Sequence, residues 1–543
     1  MHHDSGEQMS KLLKTGLLAA GFAALLGTTA MAATKTLVYC SEGSPENFTP
    51  ALNTTGTSLD AARPVYNQLV EFAPGTTDLR PGLAEKWDVS KDGTEIVFHL
   101  RKGVKFHSWK GFKPTRDFNA DDVLFSFNRQ WKDDNAYHKV SGGSYDYFND
   151  MDMPGLLKSI EKVDDYTVKM TLTKPNAPFM ANLGMDFATI HSAEYADFLQ
   201  KAGTPEKFDQ EPVGTGPFQF VAYQKDAVIR YKAFPQYWNG KVKLDQLVYA
   251  ITPDAAARYA KLQKNECQVM VGPNPSDLKS MEANKDIKVL TNEGLNDMYF
   301  SFNTEKPPLD KKEVRLALAK AINLKAILSD VYEGSGKPST TLIPSFMLGY
   351  NDKIPEYGYD PEASKKLLAD AGVKTPIDID LWYMPVYRPY NPNGKRMGEL
   401  MQADLAKIGV NAKLVTYEWG DYRKRLQNGE ASLPQMGWTG DNGDPDNFFF
   451  LFACDIEKKK PVSQNYPRWC NKDHQERLEK ARASFDKAER TKLYQEMLQI
   501  AHDEVPYLNI AHTVVYTPVR KNVEGFKPSP LGRFEFFDTD LKK

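Results

Sequence analysis

Gly437-Trp438-Thr439-Gly440-Asp441-Asn442-Gly443-Asp444-Pro445-Asp446-Asn447-Phe448-Phe449 is the stretch on which the reading of this chain turns. It follows a short apolar run, Leu433 to Trp438, and leads into Phe448–Phe452. The pattern is strand, turn, helix start. Asp444 before Pro445 reads as an N-cap followed by proline at the first helical position. Asp446 then falls in the first turn, where a carboxylate suits the helix dipole. Asp441 has no such structural explanation. It sits at the exit of the apolar run, between glycines that let another backbone approach closely.

A second stretch has the same shape. Ile377, Ile379, Leu381 and Tyr383 alternate with Asp378, Asp380 and Trp382, which predicts a strand. A loop, Met384 to Asn393, precedes a helix with Met397, Leu400, Met401, Leu405 and Ile408 at helical spacing, and Ala412 to Tyr417 reads as the next strand. That is a βαβ unit. Ligands of open α/β sheets bind outside the carboxyl ends of strands. Arg388 and Asp441 both occupy such ends, so one cation and one anion could face one cleft. Alone, two such charges are more often idle on a surface or paired with each other.

The rest of the chain narrows the choice of function. Residues 1–32 read as a signal peptide: Lys11 and Lys14 precede the apolar run Gly16 to Gly27, and Ala30-Met31-Ala32 fits a small-x-small cleavage site. Cleavage after Ala32 and export are expected, with Met9 an alternative start. The run is too short to span a bilayer, and no other span of about 18 apolar residues exists. Tyr39, where a lipobox needs a small residue, argues against a lipid anchor on Cys40. The 543 residues are 41% hydrophobic and 26% charged, with a net charge of −2. That is ordinary globular composition with room for two to four domains. No basic block or motif points to nucleic acid.

Four cysteines in an exported chain suggest two disulfides, and the sequence does not choose among three pairings. A Cys454–Cys470 bridge would close a local loop worth roughly 3 kcal/mol. No CxxC supports a redox or zinc site. There is no HExxH, P-loop, GxSxG or GxGxxG after a strand. The nine histidines are scattered, with no ligand-like spacing inside one element; His502 and His512, ten residues apart, could meet in space. Asp441, Asp444 and Asp446 lack the spacing of an EF-hand loop, so no metal and no catalytic residues are assigned.

Along the chain, residues 34–66 read as a first strand and helix, with the polar loop Gly56-Thr57-Ser58. In residues 67–214, Ile96, Phe98 and Leu100 alternate, and Lys102-Gly103 predicts a hairpin turn toward Val104 and Phe106. Asn119 reads as the cap of a helix carrying Val123, Leu124 and Phe127. Residues 215–293 are β-rich, with a helix opened by Thr252-Pro253 and running through Leu262. Residues 294–510 alternate: helix 310–322, helix 361–371, strand 377–383, helix 394–408, strand 412–417.

Several segments, in order, resemble the extracytoplasmic solute-binding protein family 5 of bacterial ABC importers, the peptide- and nickel-binding family. They include PGLAEKWDVSKDGTEIVFHLRKGVKFH (81–107), PLDKKEVRLALAKAIN (308–323), MPVYRPYNPN (384–393) and MGWTGDNGDPDNFF (436–449). The resemblance covers nearly the whole chain after the signal. It implies an α/β fold: a two-lobed periplasmic binding protein of Venus-flytrap form, three domains, type II-like, with a hinge between the lobes made by two or three strand crossovers. Domain I would combine 34–66, 215–293 and 511–543; domain II would be 67–214; domain III, 294–510, would carry the charged contacts. It implies Asp441 on a ligand's ammonium group and Arg388 on its carboxylate. Trp438, Thr439 and Gly440 would offer a strand edge, and Gly56, Thr57 and Ser58 a cleft loop. Tyr390 and Tyr145 would wall the pockets, and Tyr387 could narrow them. It implies bridges Cys40–Cys267 and Cys454–Cys470.

A zwitterion taken out of water needs an opposite charge at each end, and arginine's planar fork suits a carboxylate. The expected protein is therefore a non-enzymatic, cofactor-free monomer of the Gram-negative periplasm. It would capture dipeptides and deliver them to an inner-membrane ABC permease, with a chemoreceptor as a further partner. Haem, 5-aminolevulinate and longer peptides are alternative cargoes. A secreted peptide hydrolase or a periplasmic folding factor would be alternative classes.

Overall fold

The structure, a computed structural model, describes residues 34–542; the expected signal peptide lies outside them. One β path runs through both lobes. Its order is Val410–Val415, Ile377–Trp382, Leu433–Thr439, Asn296–Ser301, Tyr507–Arg520, Val269–Met270, Thr36–Ser41, Gln246–Ile251, Val228–Ala233 and Phe218–Gln224. Tyr507–Arg520, 14 residues long, belongs to both halves. Its first half pairs antiparallel with Asn296–Ser301. Its second half pairs with Ile287–Glu293, residue for residue from Val514 to Arg520. Ile287–Glu293 itself runs through Gly294-Leu295 into Asn296–Ser301. Two chain segments therefore cross side by side between the lobes, which is the geometry of a hinge.

The crossing is pinned by a small polar cluster. The Asn296 side-chain oxygen accepts from the Thr513 amide and hydroxyl, both at 3.0 Å. The Gly294 amide donates to the Thr513 carbonyl at 3.0 Å. A Cβ on Gly294 would stand 2.3 Å from that carbonyl, so the contact requires glycine. His512 Nδ1 donates to the Asn296 carbonyl (2.7 Å), and the Ser339 hydroxyl meets His512 Nε2 (2.8 Å). Burial pulls His512 down to about 4, so its ring is neutral and can do both. Asp297, fully buried, lies 3.4 Å from His512. Serine, histidine and aspartate thus meet in the order of a hydrolytic triad. The Nδ1 proton, however, goes to a backbone carbonyl, and the single Ser339 hydroxyl proton has two acceptors in reach, His512 Nε2 and the Thr341 carbonyl at 2.6 Å. The cluster ties the crossing strands to the segment that carries Ser339. His502 does not join His512; its ring stacks on Tyr357.

The expected βαβ unit is present. Ile377–Trp382 and Val410–Val415 are parallel in register, joined through helix Gly394–Ala406, which Asn393 caps by accepting from the Arg396 amide. Leu433–Thr439 lies parallel on the other side of Ile377–Trp382, paired only at Leu433 and Pro434. Residues 84–172 carry a separate antiparallel sheet, in the order Ala84–Val89, Glu95–Leu100, Thr167–Leu172, Leu157–Asp164. The hairpin expected at Lys102-Gly103 does not form. Both edges of Glu95–Leu100 are already taken by the strands before and after it. Val104 and Phe106 are buried in an irregular segment instead. Asn119 caps helix Ala120–Trp131 with a reciprocal Asp122 contact. Thr252-Pro253 stands outside its helix: Asp254 accepts from Ala257 and opens Ala255–Gln263.

Both disulfides are present. Cys40–Cys267 spans 227 residues and fastens Thr36–Ser41 to the start of its parallel neighbour Val269–Met270. Cys454–Cys470 closes the 16-residue loop. Apolar packing follows the same plan: Leu37, Tyr39, Tyr231, Tyr249, Phe534 and Phe536 fill one core on the first lobe. A larger core runs through the second lobe and the 84–172 region.

Candidate functional site

Three strands end at one cleft. Thr36–Ser41 delivers Glu42, Ile377–Trp382 leads to Arg388, and Leu433–Thr439 leads to Asp441. The first comes from one lobe and the other two from the opposite lobe. The placement follows from sheet geometry: side chains just past the carboxyl ends of strands face the crevice.

The turn around Asp441 is held rigidly. Its amide donates to the Asn447 side-chain oxygen at 2.8 Å, and that oxygen also receives the Trp438 indole N–H at 3.1 Å. Gly440 donates to the Leu295 carbonyl at 2.7 Å. The two neighbouring acids are engaged elsewhere. Asp446 is paired with buried Arg482 through two bonds, of 2.6 and 3.2 Å. Asp444 receives Arg490 at 2.7 Å and caps the Asp446 amide at 2.9 Å. The helix opens at Asp446, one residue later than the proline suggested. Asp441 is left facing the cleft. Tyr147 donates its hydroxyl to Oδ2 at 2.8 Å, and Arg533 reaches the Asp441 carbonyl at 3.3 Å. Burial raises the Asp441 carboxyl to about 7, against the lowering pull of Tyr147 and Arg533. The Tyr147 phenol is itself raised, by burial and by Asp441, so it stays a donor.

Arg388 lies over Trp419, its guanidinium carbon 4.8 Å from the ring centre. One nitrogen, Nη1, donates to Glu42 across the cleft (2.9 Å) and to the Tyr387 carbonyl (2.8 Å). Thr57 donates to the same Glu42 oxygen at 2.7 Å. Arg423 reaches Thr54 of the opposite lobe and lies 3.6 Å from Glu46. Tyr387 packs on Gly272, where a Cβ would come within 2.4 Å of the ring. Gly272 sits at positive φ (56°), and its carbonyl is held by Arg258.

Deeper in, charges alternate. Asp186 is held by Arg63 (2.8 and 2.9 Å) and lies 3.4 Å from Arg533. Burial pushes its carboxyl up, yet the two arginines outweigh that and leave it below the usual range. Asp60, beside Arg63, is raised to about 7, mainly by burial.

Between Asp441 and Arg388 runs an unpaired backbone edge. Ile377–Trp382 covers only Leu433 and Pro434, while Asn296–Ser301 holds the other side as far as Thr439. Met436, Gly437, Trp438 and Thr439 therefore line the cleft with one edge open to an added strand. A Cβ on Gly437 would stand 2.4 Å from the Tyr390 ring, so glycine lets Tyr390 lie against this edge.

Of the residues expected from sequence, Asp441, Arg388, Trp438, Thr439, Tyr390 and Gly56 line one cleft. Four are placed otherwise. Tyr145 is buried with its hydroxyl on the His138 carbonyl; Tyr147, two residues on, takes the place beside Asp441. Gly440 packs on Leu295 and Phe448. Ser58 turns inward to accept from the Glu46 amide, and Thr57 acts on Glu42. Glu42, Tyr147, Arg423 and Arg533 escaped the sequence reading. The contacts that place them, to Arg388, Asp441 and Thr54, span 92 to 369 residues, and no local pattern marks them. Among the described residues no group of three or more histidine, cysteine or acidic side chains is arranged to hold a metal ion.

Two lobes joined by paired crossing strands, with strand ends facing a cleft between them, define a solute-binding protein. Residues 78–460 match the model of bacterial extracellular solute-binding proteins, family 5, and the chain belongs to that family. It is 54% identical to the dipeptide-binding protein of Escherichia coli over 534 residues, 98% of this chain and 99% of that one. It is 49% identical to heme-binding protein A of Haemophilus influenzae over 507 residues, 93% and 92% of the two chains. Among solved structures, a dipeptide-binding protein from a Pseudoalteromonas species in complex with Met-Leu superposes with a TM-score of 0.89 at 37% identity. The match covers 94% of this chain and all of that one.

Proposed function

We propose that this protein is a periplasmic receptor that captures dipeptides by their two free termini and hands them to an inner-membrane ABC permease. One observation carries the reading: an acid and an arginine from neighbouring strand ends of one lobe line one cleft, with an open backbone edge between them. In this reading Asp441, oriented by Tyr147, holds the ammonium group. Arg388, stacked on Trp419, holds the carboxylate. The ligand backbone adds to Met436–Thr439, and its side chains enter pockets beside Tyr390 and Trp438. Closure of domain I (34–66, 215–293, 511–543) against domain III (294–510), with domain II (67–214) supplying Tyr147, completes the shell. The similarity to dipeptide-binding proteins supports the cargo. The haem-binding relative makes haem the competitor to exclude.

Calorimetric titration of ligand-stripped protein tests this with Ala-Ala, N-acetyl-Ala-Ala, Ala-Ala amide, tetra-alanine and haem. Tight binding of Ala-Ala alone is the expected result. Equal or tighter binding of tetra-alanine or haem would overturn the cargo.

A further inference from the structure

The arginine assigned to the ligand carboxylate already faces an acid from the other lobe. Glu42 Oε1 lies 2.9 Å from Arg388 Nη1 and 2.7 Å from the Thr57 hydroxyl, which fixes it there. Glu42 is one residue past the end of Thr36–Ser41, a strand locked by six in-register parallel pairs and by the Cys40–Cys267 bridge. Its position is therefore rigid relative to its lobe. Two further cations stand near: Arg258, held on the Gly272 carbonyl and electrostatically coupled to Glu42, and Arg423, which is engaged by Thr54 and lies 3.6 Å from Glu46.

We propose that Glu42 is a specificity-determining residue that excludes dipeptides with an acidic second residue. The inference rests on the dipeptide reading above. A carboxylate bound to Arg388 must share it with Glu42, so one arginine faces two anions. A further anion on the second residue is tethered within a few bonds of the ligand's own carboxylate. It is held in the same part of the cleft as Glu42. Like charges held in one partly buried cleft repel more than they would in bulk water. A cationic second side chain meets the opposite balance and is favoured. A neutral side chain of the same shape is indifferent to Glu42, which makes aspartate against asparagine the clean comparison.

The test is calorimetric titration of the full mature protein with Ala-Asp, Ala-Asn, Ala-Lys and Ala-Ala at pH 7.5, in wild type and in Glu42→Gln. In wild type Ala-Asp binds at least tenfold more weakly than Ala-Asn. In Glu42→Gln, checked for folding by its melting temperature, that ratio falls to within about threefold, and the preference for Ala-Lys shrinks. A wild-type protein that takes Ala-Asp as well as Ala-Asn overturns the inference, even if the variant fails to fold. A folded variant that keeps the wild-type ratio overturns it too. Loss of Ala-Ala binding in wild type would instead strike the dipeptide reading, and the inference would fall with it.

Discussion

At the scale of single residues, the proposed function makes Asp441 the group that sets how binding depends on pH. Its carboxyl is raised to about 7 because burial disfavours the charged form and Tyr147 and Arg533 only partly compensate. An ammonium group needs the charged form, so it must expel a proton whenever the pH lies below that value. The sign is therefore fixed: affinity for Ala-Ala drops as pH falls from 7 to 5, by up to about tenfold per pH unit. Titrations at pH 6 in two buffers of different ionisation heat should show release of about one proton. Above about pH 8 the ligand's own amine begins to lose its charge, so affinity declines there as well. Asp441→Asn should bind weakly and lose the acid limb of this profile. An unchanged acid limb in that variant would move the titration to another group, with Asp60, also raised to about 7, the first suspect. That Asp441 and Arg388 line one cleft was legible from strand ends that precede helices, and from capping that explains Asp444 and Asp446, but singling them out as ligand contacts took the family resemblance. Tyr147 and Glu42 were not legible. They meet Asp441 and Arg388 across 294 and 346 residues of chain, and nothing in their own neighbourhoods announces it.

At the scale of elements, the paired crossing strands connect binding to motion. Ile287–Ser301 and Tyr507–Arg520 are held together at Gly294, Asn296 and Thr513. Gly294→Ala puts a methyl group against the Thr513 carbonyl, and the backbone must shift. Overpacking of this kind costs about 1–3 kcal/mol. Gly56→Ala is the matched control, since its Cβ would meet nothing within 4 Å. Urea unfolding should show the first variant destabilised by that amount and the second within about 0.5 kcal/mol of wild type. Equal midpoints would mean the crossing is looser than its hydrogen bonds imply. Regular elements with local signals, such as the Asn119-capped helix and the 377–415 βαβ unit, could be read from the sequence within a residue or two. The hairpin at Lys102-Gly103 could not. Its turn residues and alternation were sound, but Glu95–Leu100 had no free edge, and only the whole sheet reveals that. A return to the first lobe near residue 511 was expected, but that one unbroken strand, Tyr507–Arg520, makes the crossing was not, because its own periodicity carries no mark of the change of lobe.

At the scale of the whole molecule, the proposed function makes opposite charges from neighbouring strand ends a measure of the ligand by its ends. Asp441 and Arg388 sit on one lobe, and Tyr147 and Glu42 reach them from elsewhere in the fold. Closure and recognition are then one event, and the free energy of pairing both ligand charges stabilises the closed arrangement. The most direct test pairs each ligand end with its residue. Ala-Ala and N-acetyl-Ala-Ala are titrated into wild type and Asp441→Asn; Ala-Ala and its amide into wild type and Arg388→Ala. Each single change should cost about 2–5 kcal/mol, because it strands one buried charge. Combining the residue change with the matching ligand change should cost little beyond either alone. Losses that simply add, for either pair, would show that the residue and the ligand end do not touch, and would contradict the account.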